Sequence, residues 1–473
     1  MGNKILKNAI YLFFGNMGSR MVTAVVTILL ARYIGASDYG AFSIAIAIAT
    51  VMAYFTDAGL SNTFIREATK PNINIDSLVN SYLKIRLCFA VVSIIISFFI
   101  IHFFYDDTNI QSLIGWVVYP TIIGCSFMGV GVSYFQAKES MGVSTALNVI
   151  QGFSSAFGML FVIILNSTIL MAAICFSMSY IIAGIVSIFL LKREKILFKG
   201  WTKSILDNFW LFTINGIIIM LLPQLGPIIL GKVTTLSNVG YFSTAYKIPS
   251  VLYQIPGVIA TAFYPRLFSL GNSGNIKKHR ELSIQELKIM SFVGILVAIP
   301  FITHPDFWIS LLLGQKWEAA SKGLSILAMI VVLQSISYPL ADYLTTIGKQ
   351  GTRTLVIFIT FIIAIFAYAV LGDKYGVVGG AFAAIITEVS LIIGYSFFNK
   401  KYIYHFGKSI KWNVLSFLLC LIISKFFSIT DYVLLKIILL ETIYIGIVLL
   451  LDRETFLTIV SFIQKIKKKR IIL

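Results

Sequence analysis

The chain has 473 residues, 58% of them hydrophobic and 12% charged, with a formal net charge of +18 and a mean hydropathy of +0.90. Soluble proteins are about a quarter charged, and half that supply cannot clothe a water-facing surface of this size. A soluble enzyme, a disulfide-rich secreted scaffold and a disordered chain are thereby excluded, which leaves a polytopic membrane protein.

Lys4 and Lys7 precede an apolar stretch about one membrane span long with no A-x-A-like exit. It reads as a retained first transmembrane helix rather than a cleaved export signal. A window of about 20 apolar residues crosses roughly 30 Å of hydrocarbon. Applied along the chain, it predicts an all-α polytopic fold of about fourteen transmembrane helices. They lie near 9–32, 39–58, 81–104, 113–135, 143–165, 168–191, 207–231, 239–263, 287–308, 321–345, 353–372, 376–398, 410–427 and 433–451. Positive loops stay in the cytoplasm. With the N-terminus inside, the inner segments hold 27 of the 38 Lys and Arg residues and the outer segments six, so both termini are expected in the cytoplasm. The basic charge is thus assigned to orientation and not to nucleic acid, and the Lys467–Arg470 run reads as a tail touching anionic lipid headgroups. Cys88, Cys125, Cys175 and Cys420 lie inside apolar runs with no short spacing, and the four histidines are scattered. Neither set forms a metal motif, and the cysteines read as packing residues.

Sliding the chain by 200 residues aligns spans 1–2 with spans 7–8 without a gap. Identities include Asn8/Asn208, Ser37/Ser237, Gly40/Gly240, Phe42/Phe242 and Ser43/Ser243. Six spans separate the copies, an even number, which predicts two six-helix repeats in parallel orientation, related by an axis along the membrane normal. The expected organisation is an N-terminal six-helix half (1–191), a cytoplasmic linker (192–205), a C-terminal six-helix half (206–399), and two extra C-terminal helices with a basic tail (400–473).

A charge near the bilayer centre costs several kcal/mol, about 2.5–3.5 on insertion scales, and usually faces a cavity or a partner. Arg20 lies near the middle of span 1, with Asn16, Thr23 and Thr27 at helical spacing, so the four are expected to form one polar stripe lining water or protein. A guanidinium there suits a phosphate, because it stays charged and binds bidentately; the alternative is a carboxylate partner. Lys247 in span 8 is either a second phosphate contact or half of a buried salt bridge. Around it run Tyr246, Tyr253 and Gln254, with Pro249 and Pro256 expected to bend or break the helix. The tyrosines suit stacking on sugars, or ordinary packing. Span 7 carries Asn215, Pro223, Gln224 and Pro227, a second broken polar helix. Of the intramembrane acids, Glu388 sits near the middle of span 12 and is a candidate for taking up a proton or sodium ion. Asp57 and Asp342 lie near inner helix ends, as further coupling candidates or as caps. Glu441 is paired with Lys436, and Arg86 and Lys84 are expected to snorkel to headgroups. No other cofactor and no metal are expected.

Leu29-Leu30-Ala31-Arg32-Tyr33-Ile34-Gly35 followed by Asp38-Tyr39-Gly40 resembles the first outer corner of the polysaccharide-export flippases. So do Asp57-Ala58-Gly59-Leu60 with Arg66-Glu67, Val239-Gly240-Tyr241 with Ala245, Phe263-Tyr264-Pro265, and Leu313-Gly314-Gln315-Lys316-Trp317 before Ala319-Ala320. The family is the Wzx-type lipid-linked oligosaccharide flippases, in the superfamily that also holds multidrug exporters and lipid II flippases. The resemblance implies movement of an undecaprenyl-diphosphate-linked glycan across a bacterial inner membrane, for O-antigen, capsule or exopolysaccharide. It also implies contact with membrane lipid and with a polysaccharide polymerase and chain-length regulator. Two other classes are weighed. A multidrug or small-cation exporter would favour acids in its cavity over Arg20 and Lys247. A membrane polymerase or ligase would need positioned acids or histidines near the outer face, where His304-Pro305-Asp306 reads as an interfacial turn. The chain is therefore expected not to be an enzyme.

Overall fold

The structure is a computed structural model that describes residues 2–70, 73–206, 216–426 and 432–452, without the side chains of 2–16, 400–402 and 426. In chain order the helices are α1 (Gly2–Ile34), α2 (Ala36–Asp57), α3 (Leu60–Ala68), α4 (Ile75–Phe104), α5 (Thr108–Ala137), α6 (Met141–Ile164) and α7 (Ile169–Arg193). They continue with α8 (Gly216–Val233), α9 (Leu236–Leu252), α10 (Gln254–Asn272), α11 (Ile276–Thr303), α12 (Pro305–Leu313), α13 (Ala319–Thr346), α14 (Gln350–Phe398), α15 (Lys400–Phe426) and α16 (Val433–Leu451). No strand occurs among the described residues.

Twelve helical stretches among the described residues are long and apolar enough to cross a membrane. Two features separate this number from the expected fourteen. Spans 353–372 and 376–398 both lie in α14, which turns back at Gly376, where φ is 55° and ψ −123°. A side chain resists that conformation and glycine accepts it. A Cβ on Gly394 would lie 2.4 Å from Val356, so the two arms run antiparallel. Span 239–263 is split at Tyr253 into α9 and α10, between Pro249 and Pro256 as their missing N–H groups and ring clashes require.

The helices are apolar outside and small inside. On α4, Val91, Val92, Ile95, Ile96, Phe98, Phe99 and Phe103 are exposed, whereas Ser93 and Ser97 are buried. Water would impose the reverse arrangement. Lipid offers no gain for burying leucine, so interhelical contacts favour small residues that let backbones approach. Gly124 of α5 illustrates this, because a Cβ there would lie 2.4 Å from the backbone of Tyr180 on α7.

Contacts divide the chain into two compact units, Met1–Ser243 and Thr244–Leu473. In the first, α5 packs against α2, α4, α6 and α7, α1 packs on α6, and α8 packs on α2. The segment 192–205 lies along α4: Leu197 N donates to Asp76 Oδ1 (2.9 Å), Asn80 Nδ2 to the Gly200 carbonyl (2.7 Å), and Thr202 N to Ser81 Oγ (2.7 Å). In the second unit, α11 packs against α10, α13 and α15, and α13 packs on α14. The two last helices join this unit's core, where Phe417, Cys420, Leu440 and Tyr444 pack with Phe292 and Ile295 of α11.

The 200-residue repeat has a geometric counterpart in the first unit. A Cβ on Gly40 would lie 1.9 Å from the Leu236 carbonyl oxygen, and one on Gly240 would lie 1.9 Å from that of Ala36. Positions 236 and 240 are 36 and 40 shifted by the repeat. The two contacts are therefore reciprocal under the 200-residue shift.

Candidate functional site

Arg20 lies roughly 20 Å along α1 from its end at Ile34, at 1.5 Å per residue. It is exposed, and no ion pair or hydrogen bond engages it among the described residues. Ala24, Thr27 and Ala31 continue its helical face at i+4, i+7 and i+11, and are 3%, 4% and 0% exposed. The face is thus closed by packing toward Ile34 and open at the guanidinium. The expected stripe of Arg20, Thr23 and Thr27 is not one surface. Thr23 Oγ1 donates to the Gly152 carbonyl of α6 (3.3 Å) and to the Ser19 carbonyl (2.9 Å), and Thr27 Oγ1 donates to the Thr23 carbonyl. Gly152 permits this, since a Cβ there would lie 1.9 Å from Ser19 Oγ. The Thr23 hydroxyl serves the α1–α6 contact, the Thr27 hydroxyl is spent within α1, and neither bonds to the cation. The side chain of Asn16, and Asn215 altogether, lie outside the described residues. Gln224 ends the 3-10 turn Leu222–Gln224, which packs on α2.

The second unit gathers most of the other candidates. Glu388 of α14 accepts from Gln334 Nε2 (2.8 Å) and Ser337 Oγ (3.3 Å) of α13. No basic side chain forms an ion pair with it among the described residues. Tyr253, at the break between α9 and α10, stacks on Tyr338 of α13 with ring centroids 4.7 Å apart. Tyr246 and Tyr253 both lie within electrostatic reach of Glu388. Lys247 and Gln254 are half-buried, and Lys247 is itself engaged. The structure therefore sets Tyr253 against Tyr338 of α13, the helix whose Gln334 and Ser337 hold Glu388. Asp342 is buried, 3.9 Å from Arg353 Nη1, and Arg353 also donates to Thr345 Oγ1 (2.9 Å).

Asp57 and Arg86 depart most from the sequence reading. Arg86 does not snorkel: it is 5% exposed. Its Nη1 lies 2.8 Å from Asp57 Oδ1, and the guanidinium also donates to Tyr82 Oη (2.9 Å), Thr56 Oγ1 (3.3 Å) and the Cys125 carbonyl (2.9 Å). Tyr82 Oη in turn donates to Asp57 (2.8 Å). Asp57 also accepts from Ser61 Oγ (2.8 Å) at the start of α3, where Ala58 and Gly59 have φ of 43° and 80°. Glu441 likewise has no ion pair with Lys436. Five residues turn a helix through about 500°, so the two side chains point to different faces.

Glu286 escaped the sequence reading because it follows the Lys-rich 276–281 segment. It is 0% exposed, and both its carboxylate oxygens lack a hydrogen-bond partner among the described residues. His279, Ser283, Glu286 and Met290, at i, i+4, i+7 and i+11, are all fully buried on α11. That periodicity was the available signal.

The family model described as "Polysaccharide biosynthesis protein" matches residues 5–270. A Haloferax volcanii protein named "Probable low-salt glycan biosynthesis flippase Agl15" is 23% identical over 396 residues, covering 81% of each chain. Among solved structures, the lipid II flippase MurJ in an inward closed conformation superposes with a TM-score of 0.78 at 17% identity, covering 95% of this chain and 100% of MurJ. An inward-facing MATE-family multidrug transporter gives 0.70 at 14%, covering 82% and 96%. At these identities the two structures establish the fold alone.

Proposed function

The chain belongs to the polysaccharide biosynthesis protein family, and from that premise we propose that it is a flippase. Its cargo is an undecaprenyl-diphosphate-linked oligosaccharide repeat unit, moved from the cytoplasmic to the outer leaflet of a bacterial inner membrane by alternating access. Transport, not bond-making chemistry, is its activity. The observation that carries this reading is Arg20, an exposed guanidinium deep in α1 with no acidic partner among the described residues. An unpaired intramembrane charge is costly and is retained where it meets a ligand, and a guanidinium matches the paired oxygens of a diphosphate. The same charge repels the cations that a multidrug exporter carries. Tyr246, Tyr253 and Tyr338 offer ring faces to sugars, while the polyprenyl tail stays in lipid. The excess of Lys and Arg in the inner segments supports cytoplasmic termini.

The test is deletion of the gene followed by analysis of lipid-linked intermediates. Undecaprenyl-diphosphate oligosaccharide should accumulate on the inner leaflet, and surface polysaccharide should fall at least tenfold. Normal surface polysaccharide with heightened drug sensitivity would refute the reading.

Glu388 is the coupling group in this scheme. It is a carboxylate held by two neutral donors, able to exchange a proton or a sodium ion as the halves move. Glu388→Gln keeps its size and removes its charge. Transport by that variant in proteoliposomes should lose its response to an imposed proton or sodium gradient, and an unaltered gradient response would remove Glu388 from the coupling path.

A further inference from the structure

The start of α15 carries a cation-rich turn that the transport scheme does not use. Lys408, Lys411, Leu415, Leu418 and Ile422 follow one another at three- and four-residue steps, so they lie on one helical face, and Leu419 widens it beside Leu418. All six are exposed. Ser409, Asn413, Ser416, Phe417 and Cys420 form the opposite, buried face. Along the exposed face, two lysines give way to four large aliphatic residues over about four turns.

The lysines border a cavity of about 290 Å³ between α11 and α15, lined also by Lys288, His405, Trp412 and Asp452. Asp452 lies 3.7 Å from Lys288 Nζ and offsets that charge. Among the described residues no acid forms an ion pair with Lys408 or Lys411 at the mouth. Lys411 Nζ sits 4.4 Å from the centroid of the Trp412 ring, and tryptophan is the residue that favours the headgroup level of a membrane.

We propose that this cavity binds the headgroup of an anionic phospholipid, with the phosphate on Lys408 and Lys411 and an acyl chain along Leu415, Leu418, Leu419 and Ile422. Free phosphate would use the lysines but not the apolar face that continues from them. The positive-loop assignment places the cavity on the cytoplasmic side, the leaflet whose juxtamembrane basic clusters attract acidic lipid. Beyond Asp452 the sequence carries one acid, Glu454, against the six cations Arg453, Lys465, Lys467, Lys468, Lys469 and Arg470, and like-charge repulsion disfavours so basic a segment at a lysine-lined cavity.

The full-length protein, delipidated in detergent, is titrated with phosphatidylglycerol or phosphatidylcholine, and bound lipid is counted by native mass spectrometry. Phosphatidylglycerol should bind with clear preference. Each lysine near the surface contributes a factor of about five, so Lys408→Gln/Lys411→Gln should weaken that binding about 25-fold, while Lys84→Gln, an exposed lysine on α4, should leave it unchanged. Leu418→Gln should also weaken it with both lysines intact. Four results would overturn the proposal: equal binding of phosphatidylcholine; displacement of the lipid by millimolar inorganic phosphate, marking a simple anion site; displacement by undecaprenyl diphosphate at tenfold lower concentration, marking a station for cargo; or binding that requires removal of residues 453–473, marking the tail as occupant.

Discussion

Arg86→Met is expected to leave little folded protein in the membrane. The substitution removes one partner of a buried ion pair and strands Asp57 without its cation, 2.8 Å from where the guanidinium stood. Breaking such a pair from one side costs about 3–5 kcal/mol, against a total stability on the order of 5–15 kcal/mol. Three further hydrogen bonds go with it, to Tyr82, Thr56 and the Cys125 carbonyl. The surroundings cannot close over the loss, because they are shaped to the guanidinium: a Cβ on Gly129 would lie 2.2 Å from Arg86 Nη1. Asp57→Leu combined with Arg86→Met should recover part of the stability, since two apolar groups in place of a buried pair are often tolerated. Thermal unfolding of detergent-purified protein checks both variants. A single variant as stable as the parent, or a double variant worse than the single, would show that the pair does not hold α2 to α4.

The Arg86 pairing also shows where sequence reading stops. The residue's depth was legible, at the inner part of a span, and snorkelling follows from depth alone. Burial depends on α2 standing beside α4, which brings in a carboxylate 29 positions earlier. Apolar windows say nothing about which spans are neighbours. The same limit divided the α1 stripe. Arg20 and Thr27 differ by about 20° around the helix, yet one is exposed and the other 4% exposed, a difference that helical spacing within α1 does not contain.

What was legible had a local cause. Spans register as apolar runs because each must cross the hydrocarbon by itself. The break at Tyr253 follows from Pro249 and Pro256. Gly40 and Gly240, identical under the 200-residue shift, each stand where a backbone carbonyl leaves no room for a Cβ, and such a contact fixes the residue type. Cys420 is buried, donating to the Leu440 carbonyl at 3.1 Å, as a small packing residue. Cys88, in contrast, is exposed on the lipid-facing side of α4. Glu286 was missed because a charge in a lysine-rich stretch reads as solvated, and its burial comes from helices packed around α11.

Arg20 carries the functional account, and its replacement should have the largest effect on transport with the least on folding, because the side chain is exposed and makes no hydrogen bond or ion pair among the described residues. Charge-assisted hydrogen bonds are worth about 1.5–3 kcal/mol each, so loss of one phosphate contact corresponds to a tenfold or greater fall in cargo binding. Lysine retains the charge but not the fork geometry, and Arg20→Lys should fall between wild type and Arg20→Ala. The decisive measurement is the rate at which purified protein in proteoliposomes moves an undecaprenyl-diphosphate-linked oligosaccharide between leaflets, with wild type, Arg20→Lys and Arg20→Ala reconstituted at equal density. The account predicts movement that declines in that order and is at least tenfold slower for Arg20→Ala; Arg20→Ala moving the cargo at the wild-type rate would contradict it.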